Sequence, residues 1–213
     1  MDLAGLAADL VVIAVKGAAP TPVERWLAAY RPIVDTAGGS LWAVEGSGDG
    51  RGPGPGHTHT TLLPAPDLEG YERSVAAART SGRLPVGHAE IRRDVWQPRR
   101  SIRAEGAAGP VTALILAEVL CTDPEREAEW DSWYDGQHLP DMMASGAFAA
   151  GSRWYRTPTR PGGTNHLTIY EIAGIDLEEA VARSAAILPE IAATGRSHEC
   201  HTGGPTLKVR RVR

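Results

Sequence analysis

The run "AEWDSWYDGQHLPDMMASG", residues 128–146, decides how the rest of the chain is read. Its front half has the marks of a helix start. Thr122 or Asp123 is placed to cap it, Pro124 suits the first helical position, and Glu125 and Glu127 complement the positive end of the dipole. Trp130, Tyr134 and His138 recur at i, i+4 and i+8, so in a helix they line one stripe. Asp135 and His138 stand three apart, and Pro140 is expected to end the helix. The same Trp-x-x-x-Tyr spacing occurs at Trp26 and Tyr30.

That recurrence extends along the chain. The first half reads as strand 9–17, helix 21–37, strand 39–46, strand 57–65, helix 66–81 and strand 88–96. The second half reads as strand 111–120, helix 124–138, strand 149–157, strand 165–173, helix 176–194 and strand 205–213. The order βαββαβ thus occurs twice. "SLW" at 40–42 answers "SRW" at 152–154, "DLEG" at 67–70 answers "DLEE" at 176–179, and "IRRDV" at 91–95 answers "VRRV" at 209–212. The expected fold is α+β: two tandem ferredoxin-like units whose antiparallel sheets cover one another as a barrel within one chain. The units are 1–96 and 111–213. Residues 97–110, "QPRRSIRAEGAAGP", read as a linker, and "GSGDGRGPGPG" (46–56) as a low-complexity hairpin loop.

From Tyr30 to Ser40 is ten residues, but from Tyr134 to Ser152 is eighteen. The surplus falls across "GQHLPDMM", so His138 has no counterpart in the first unit, whose site is expected to be degenerate.

Composition narrows the function classes. Of 213 residues, 42% are hydrophobic, an ordinary globular share, and a net charge of −4 argues against a nucleic-acid partner. The apolar runs are too short to span a bilayer, no charged stretch followed by an apolar run and a cleavage site opens the sequence, so a secretory signal is not expected, and two cysteines make no disulfide framework. A cytoplasmic protein is expected, and the abundance of Ala, Gly, Arg and Pro suggests a high-GC bacterial source. The duplication allows a monomer with an internal pseudo-dimer, or a homodimer.

The residues "W-x-x-WYD-x-x-HLPD", "GAFAAGSRWYR" and "NHLTIYEI" resemble the EthD-like proteins of the dimeric α/β-barrel superfamily over roughly 110–213; "SGAF" stands where that family more often has Pro-Gly-Phe. The resemblance implies a cavity in each unit. The superfamily includes polyketide cyclases, lactone isomerases, cofactor-free monooxygenases and haem-handling enzymes, so it leaves the reaction open.

His138 is the expected general acid/base, with Asp135 fixing its tautomer and Tyr134 donating to a developing enolate oxygen. Arg153 and Tyr155 share one face of their strand and Trp154 and Arg156 the other. His166, Thr168 and Tyr170 share a face of theirs, expected to look between the sheets while Leu167 and Ile169 meet the helices. Arg153, Tyr155, His166, Tyr170 and Trp133 are therefore the expected substrate contacts, with Trp42, His57 or His59 adding wall from the first unit. Asp135 paired with Arg153 is the plainer alternative. "HECH" (198–201) does not converge on one ion if it is a strand, no histidine is singled out for haem, and no dinucleotide, phosphate-loop or nucleophile-elbow motif occurs. No metal or cofactor is expected. The resulting expectation is a cofactor-independent lyase, cyclase or isomerase acting on a carbonyl-rich, polyketide-like or aromatic small molecule. A cofactor-free monooxygenase and a non-catalytic ligand-binding protein are the alternatives.

Overall fold

Each half builds one four-stranded sheet with its helices on the outer face. The computed structural model describes residues 3–16, 23–47, 57–85, 87, 89–159 and 163–212. The first half gives β1 (Leu10–Lys16), α1 (Val23–Thr36), β2 (Ser40–Ser47), β3 (His57–Pro64), α2 (Leu68–Thr80) and β4 (Ala89–Arg103). The second gives β5 (Ala113–Cys121), α3 (Glu127–Trp133), α4 (Leu139–Ala144), β6 (Ala150–Thr157), β7 (His166–Ile172), α5 (Leu177–Ala193) and β8 (His201–Arg211). Around the ring the order is β1-β3-β2-β8-β5-β7-β6-β4, and the barrel closes. All pairings are antiparallel, so the two units meet at β2–β8 and β4–β6 and neither sheet keeps a free edge. None of the described helices is long and apolar enough to cross a membrane.

The near-continuous apolar runs of β1 and β5 follow from burial on both faces, one toward the barrel axis and one beneath helices. Leu10, Trp42, Leu62, Trp96, Leu114, Leu116, Trp154, Leu167 and Ile169 fill the barrel. Separate clusters under α1–α2 and under α3–α5 hold Trp26 with Tyr30 and Trp130 with Tyr134. The two units correspond in detail. Trp42 donates its indole N–H to Ser40 Oγ at 2.7 Å, and Trp154 does the same to Ser152 Oγ at 2.9 Å. The ladder registers place His59 opposite Val15 and His166 opposite Val119, so these histidines are equivalent. "IRRDV" and "VRRV" do not correspond, because the registers match Trp96 with Val209 and set the two motifs five residues apart.

Two expectations need correction. The segment 97–110 is not a linker throughout: β4 runs to Arg103, and Gln97–Arg103 pairs with Tyr155–Ala150 across the seam. Its charged, Pro-containing composition hid a strand whose outer face is solvated. Nor does Pro140 end the helix. A π turn, Tyr134–His138, joins α3 to α4, with the Leu139 N–H bonded to the Tyr134 carbonyl. Pro140 lacks an N–H and its ring crowds the carbonyl four residues back, and the wider turn absorbs both. The loop expected at 46–56 lies, from residue 48 onward, outside the described residues.

Gly39 seats the start of β2. A Cβ there would stand 2.8 Å from the Leu62 carbonyl oxygen, which is held in the sheet and cannot swing away. Gly39→Ala is expected to cost about 1–3 kcal/mol, read as a lower urea midpoint.

Candidate functional site

The N-terminal end of α3 overhangs the ends of β5, β6 and β7. Asp123 caps the 3-10 turn Pro124–Arg126 that leads into α3, accepting the Glu125 N–H at 3.1 Å, whereas the Thr122 hydroxyl donates to the Cys200 carbonyl. Beneath the overhang lies a cleft of about 460 Å³ whose wall includes Cys121, Pro124, Glu127, Tyr155, Asn165 and His166. His166, on β7, places Nε2 2.8 Å from Glu127 Oε1 and Nδ1 3.2 Å from the Arg153 guanidinium. Arg153, only 1% exposed, donates in turn to Asp131 Oδ1 at 2.8 Å and Asp135 Oδ1 at 2.5 Å. Glu127, Arg153 and Asp131 (3.7 Å from Nδ1) thus stand against one imidazole, with Asp135 behind Arg153. Burial holds that imidazole below its ordinary value, against the pull of Glu127. Trp130 covers the ring from above at 4.5 Å and Tyr155 meets it edge-on at 5.0 Å. Burial raises the Tyr155 phenol, which keeps it a neutral O–H donor near pH 7.

The face expectation for β7 is inverted. Leu167 and Ile169 point into the barrel, while His166, Thr168 and Tyr170 lie under the helices. The polar groups find their partners beneath the helices, His166 on Glu127 of α3 and Thr168 on Tyr134 of the π turn.

The expected Asp135–His138 pair does not form, because the Asp135 carboxylate is taken by Arg153. The wider π turn rotates less per residue than an α-helix, so three residues no longer return the chain to the same face and the two side chains diverge. His138 instead packs among the rings of Trp133, Tyr134 and His201 at 5.0, 4.6 and 5.2 Å. Tyr134 is buried with its hydroxyl 2.8 Å from Thr168 Oγ1, and Tyr170 stacks on Phe148 at 4.4 Å. Trp133 donates its indole N–H to the Arg196 carbonyl at 2.9 Å, pinning the segment after α5. Of the expected residues, then, the cleft gathers His166 and Tyr155, with Arg153 directly behind; Tyr134, Trp133, Tyr170 and His138 belong to the packing around it. Sequence reasoning passed over Glu127 as a site residue, treating it only as a dipole complement.

In the first unit Trp42 points into the barrel and His59 is fully buried, its ring 4.4 Å from Tyr30. By register, the positions equivalent to Glu127, Asp131, Asp135 and Arg153 are Val23, Leu27, Arg31 and Leu41. Both units share the Trp-Tyr-His framework, but the first has apolar residues in place of Glu127, Asp131 and Arg153 and the opposite charge, Arg31, in place of Asp135.

In "HECH", only His201 starts a strand. His198 Nε2 lies 3.3 Å from Glu129, and Glu199 pairs with Arg126. Among the described residues no group of three or more His, Cys, Asp or Glu side chains is arranged to hold a metal ion. A haem needs an axial histidine facing a slot for the macrocycle. His138, the helix histidine, has rings against it on three sides, and His166 is engaged at both nitrogens, so these residues do not fit that group.

Burial, with repulsion from other cationic groups, lowers His138 and His201 to about 4. Both are neutral in the folded protein at pH 6, while in the unfolded chain they titrate near the ordinary imidazole value of 6.5. As pH falls through 6.5 toward 4 the unfolded state takes up protons that the folded state refuses, and stability drops by of order 2–3 kcal/mol per ring. Urea midpoints at pH 7 and 4.5 measure this, and His138→Phe is expected to make the dependence shallower.

No family model and no curated protein matches this sequence. Solved structures do match in shape along almost the whole chain. A chlorite dismutase variant from Candidatus Nitrospira defluvii superposes with a TM-score of 0.59 at 11% identity, covering 96% of this chain and 91% of that one. An anthrone oxidase-like protein gives 0.56 at 14% identity, covering 99% and 93%. A dye-decolorizing peroxidase from Bacteroides thetaiotaomicron gives 0.59 at 9%, covering 99% and 95%. The chain has the dimeric α/β-barrel fold. At these identities the likeness establishes the fold, and the chemistry has to be argued from the cleft.

Proposed function

We propose that this dimeric α/β-barrel protein is a small-molecule enzyme that abstracts a proton from carbon beside a carbonyl. The observation that carries the reading is the His166–Glu127 contact at 2.8 Å on the wall of a 460 Å³ cleft, with the Tyr155 ring packed against it. The carboxylate–imidazole pair takes the proton, and the electron pair of the C–H bond moves into the carbonyl. The Tyr155 O–H donates to the oxygen that gains charge. Return of the proton to another carbon gives isomerisation, attack of the enolate on a second carbonyl gives cyclisation, and loss of a leaving group gives a lyase reaction.

A second reading shares the first step. One solved structure of this fold is named for its likeness to an anthrone oxidase. An anthrone CH2 is acidified by its carbonyl, and its enolate can react with O2, the CH2 becoming C=O with release of one water. Incubation with anthrone-type and other carbonyl-activated ring compounds in D2O tests both. Deuterium entering the acidified carbon without O2 supports proton abstraction, and oxygen-dependent product adds the second reading. Absence of exchange across the panel, with ligands bound in the cleft, would reduce the protein to a binder.

A further inference from the structure

The His166 ring is bonded at both nitrogens, and its partners differ in kind. On the Nδ1 side stands Arg153, a guanidinium that can only donate, at 3.2 Å. On the Nε2 side stands the Glu127 carboxylate at 2.8 Å. Arg153 cannot turn away. It is 1% exposed, gripped by Asp131 and Asp135 from the helix, with its guanidinium 4.3 Å from the Tyr134 ring centroid and 5.3 Å from that of Trp130. Asp131 is the other carboxylate near Nδ1, at 3.7 Å, and its Oδ1 already accepts from Arg153.

We propose that Arg153 is a positioning residue that locks His166 as the neutral Nε2–H tautomer, so that the proton acceptor of the cleft is the Glu127 carboxylate and the imidazole is its fixed donor. A second proton on Nδ1 would face a cationic N–H, so the ring cannot serve as the base without breaking the Arg153 bond. The Nε2–H holds Glu127 Oε1. Glu127 keeps 37% of its side-chain surface exposed, and among the described residues Oε2 has no protein partner, leaving that oxygen to substrate. The equivalent imidazole of the first unit, His59, has Leu41 where Arg153 stands and Val23 where Glu127 stands, so the lock is a property of one unit. Its catalytic consequence rests on the cleft reading above. The tautomer itself does not.

The experiment is long-range 1H–15N correlation spectroscopy of the full chain labelled with 15N-histidine, without substrate, with His166→Gln assigning the signal. The expected spectrum at pH 7 has a protonated Nε2 and a bare Nδ1 in a neutral ring. In Arg153→Met the ring loses its cationic neighbour and keeps Asp131 3.7 Å from Nδ1, so its proton affinity is expected to rise about tenfold or more, with the new proton on Nδ1. Arg153→Lys, which keeps the charge, is expected to stay close to the parent protein. A protonated Nδ1 or a charged ring in the parent protein at pH 7 overturns the proposal, as does an unchanged titration in Arg153→Met. Should Arg153→Met not fold, the parent spectrum alone decides. A correct tautomer together with deuterium exchange undiminished in Glu127→Gln would leave the lock standing and remove the catalytic reading.

Discussion

Glu127→Gln is expected to slow proton abstraction in the cleft by roughly 10²–10⁴-fold while the protein stays folded, the range lost when a positioned general base is removed. The substitution is close to isosteric. The His166 Nε2–H still finds an amide oxygen at the Oε1 position, and Arg153, Asp131 and Asp135 keep their contacts behind the ring. What disappears is the one oxygen able to take a proton. The loss is therefore expected in kcat with KM little changed, the signature of an interaction made in the transition state rather than in binding. Rates over a panel of carbonyl-activated substrates measure it, with the urea midpoint as a control for folding.

Arg156→Met is expected to produce the largest loss of stability, about 3–5 kcal/mol. Arg156 lies in the barrel, 2% exposed, bridging Asp94 of β4 and Glu118 of β5, with its guanidinium 4.2 Å from the Trp96 ring centroid. Arg92 answers the same two carboxylates from the other side. The cluster ties the first unit to the second across an otherwise apolar interior. Without Arg156, two buried carboxylates share one partly exposed Arg92, and the cost is that of unmatched buried charge. Replacing Asp94 by Leu in the same chain should recover part of the loss, because a buried ion pair exchanged whole for apolar packing is often close to neutral. Urea titrations of the single and double variants check both statements.

The architecture was readable because its determinants are local. Runs such as Leu10–Lys16 and Ala113–Cys121 are apolar but for Lys16 and Glu118 because both of their faces are buried, and Trp26 with Trp130 and Ser40 with Ser152 mark equivalent positions in the two units. The faces of β7 were not readable by the same logic. Alternation divides Leu167 and Ile169 from His166 and Thr168, but with both sides buried it does not say which side is the barrel. The Glu127–His166 contact escaped for a different reason. The contact between Glu127 and His166 joins residues 39 apart in sequence, and no local spacing encodes it. The one short-range pairing that spacing did suggest, Asp135 with His138, assumed an α-helical turn where a π turn stands. A usable signal was present in the comparison of the two units. Val23, Leu27 and Leu41 against Glu127, Asp131 and Arg153, with Arg31 against Asp135, separate the shared framework from the charge pattern of one half. Reading it required the register of the strands.

The most direct test of the central claim is the rate of solvent-deuterium entry into a carbonyl-activated substrate, measured without O2 for the parent protein, Glu127→Gln and His138→Gln side by side. If the chemistry sits in the cleft, Glu127→Gln loses at least about 100-fold and His138→Gln stays near the parent rate. The opposite pattern, with His138→Gln inactive and Glu127→Gln unaffected, would contradict the account and return the site to the helix histidine.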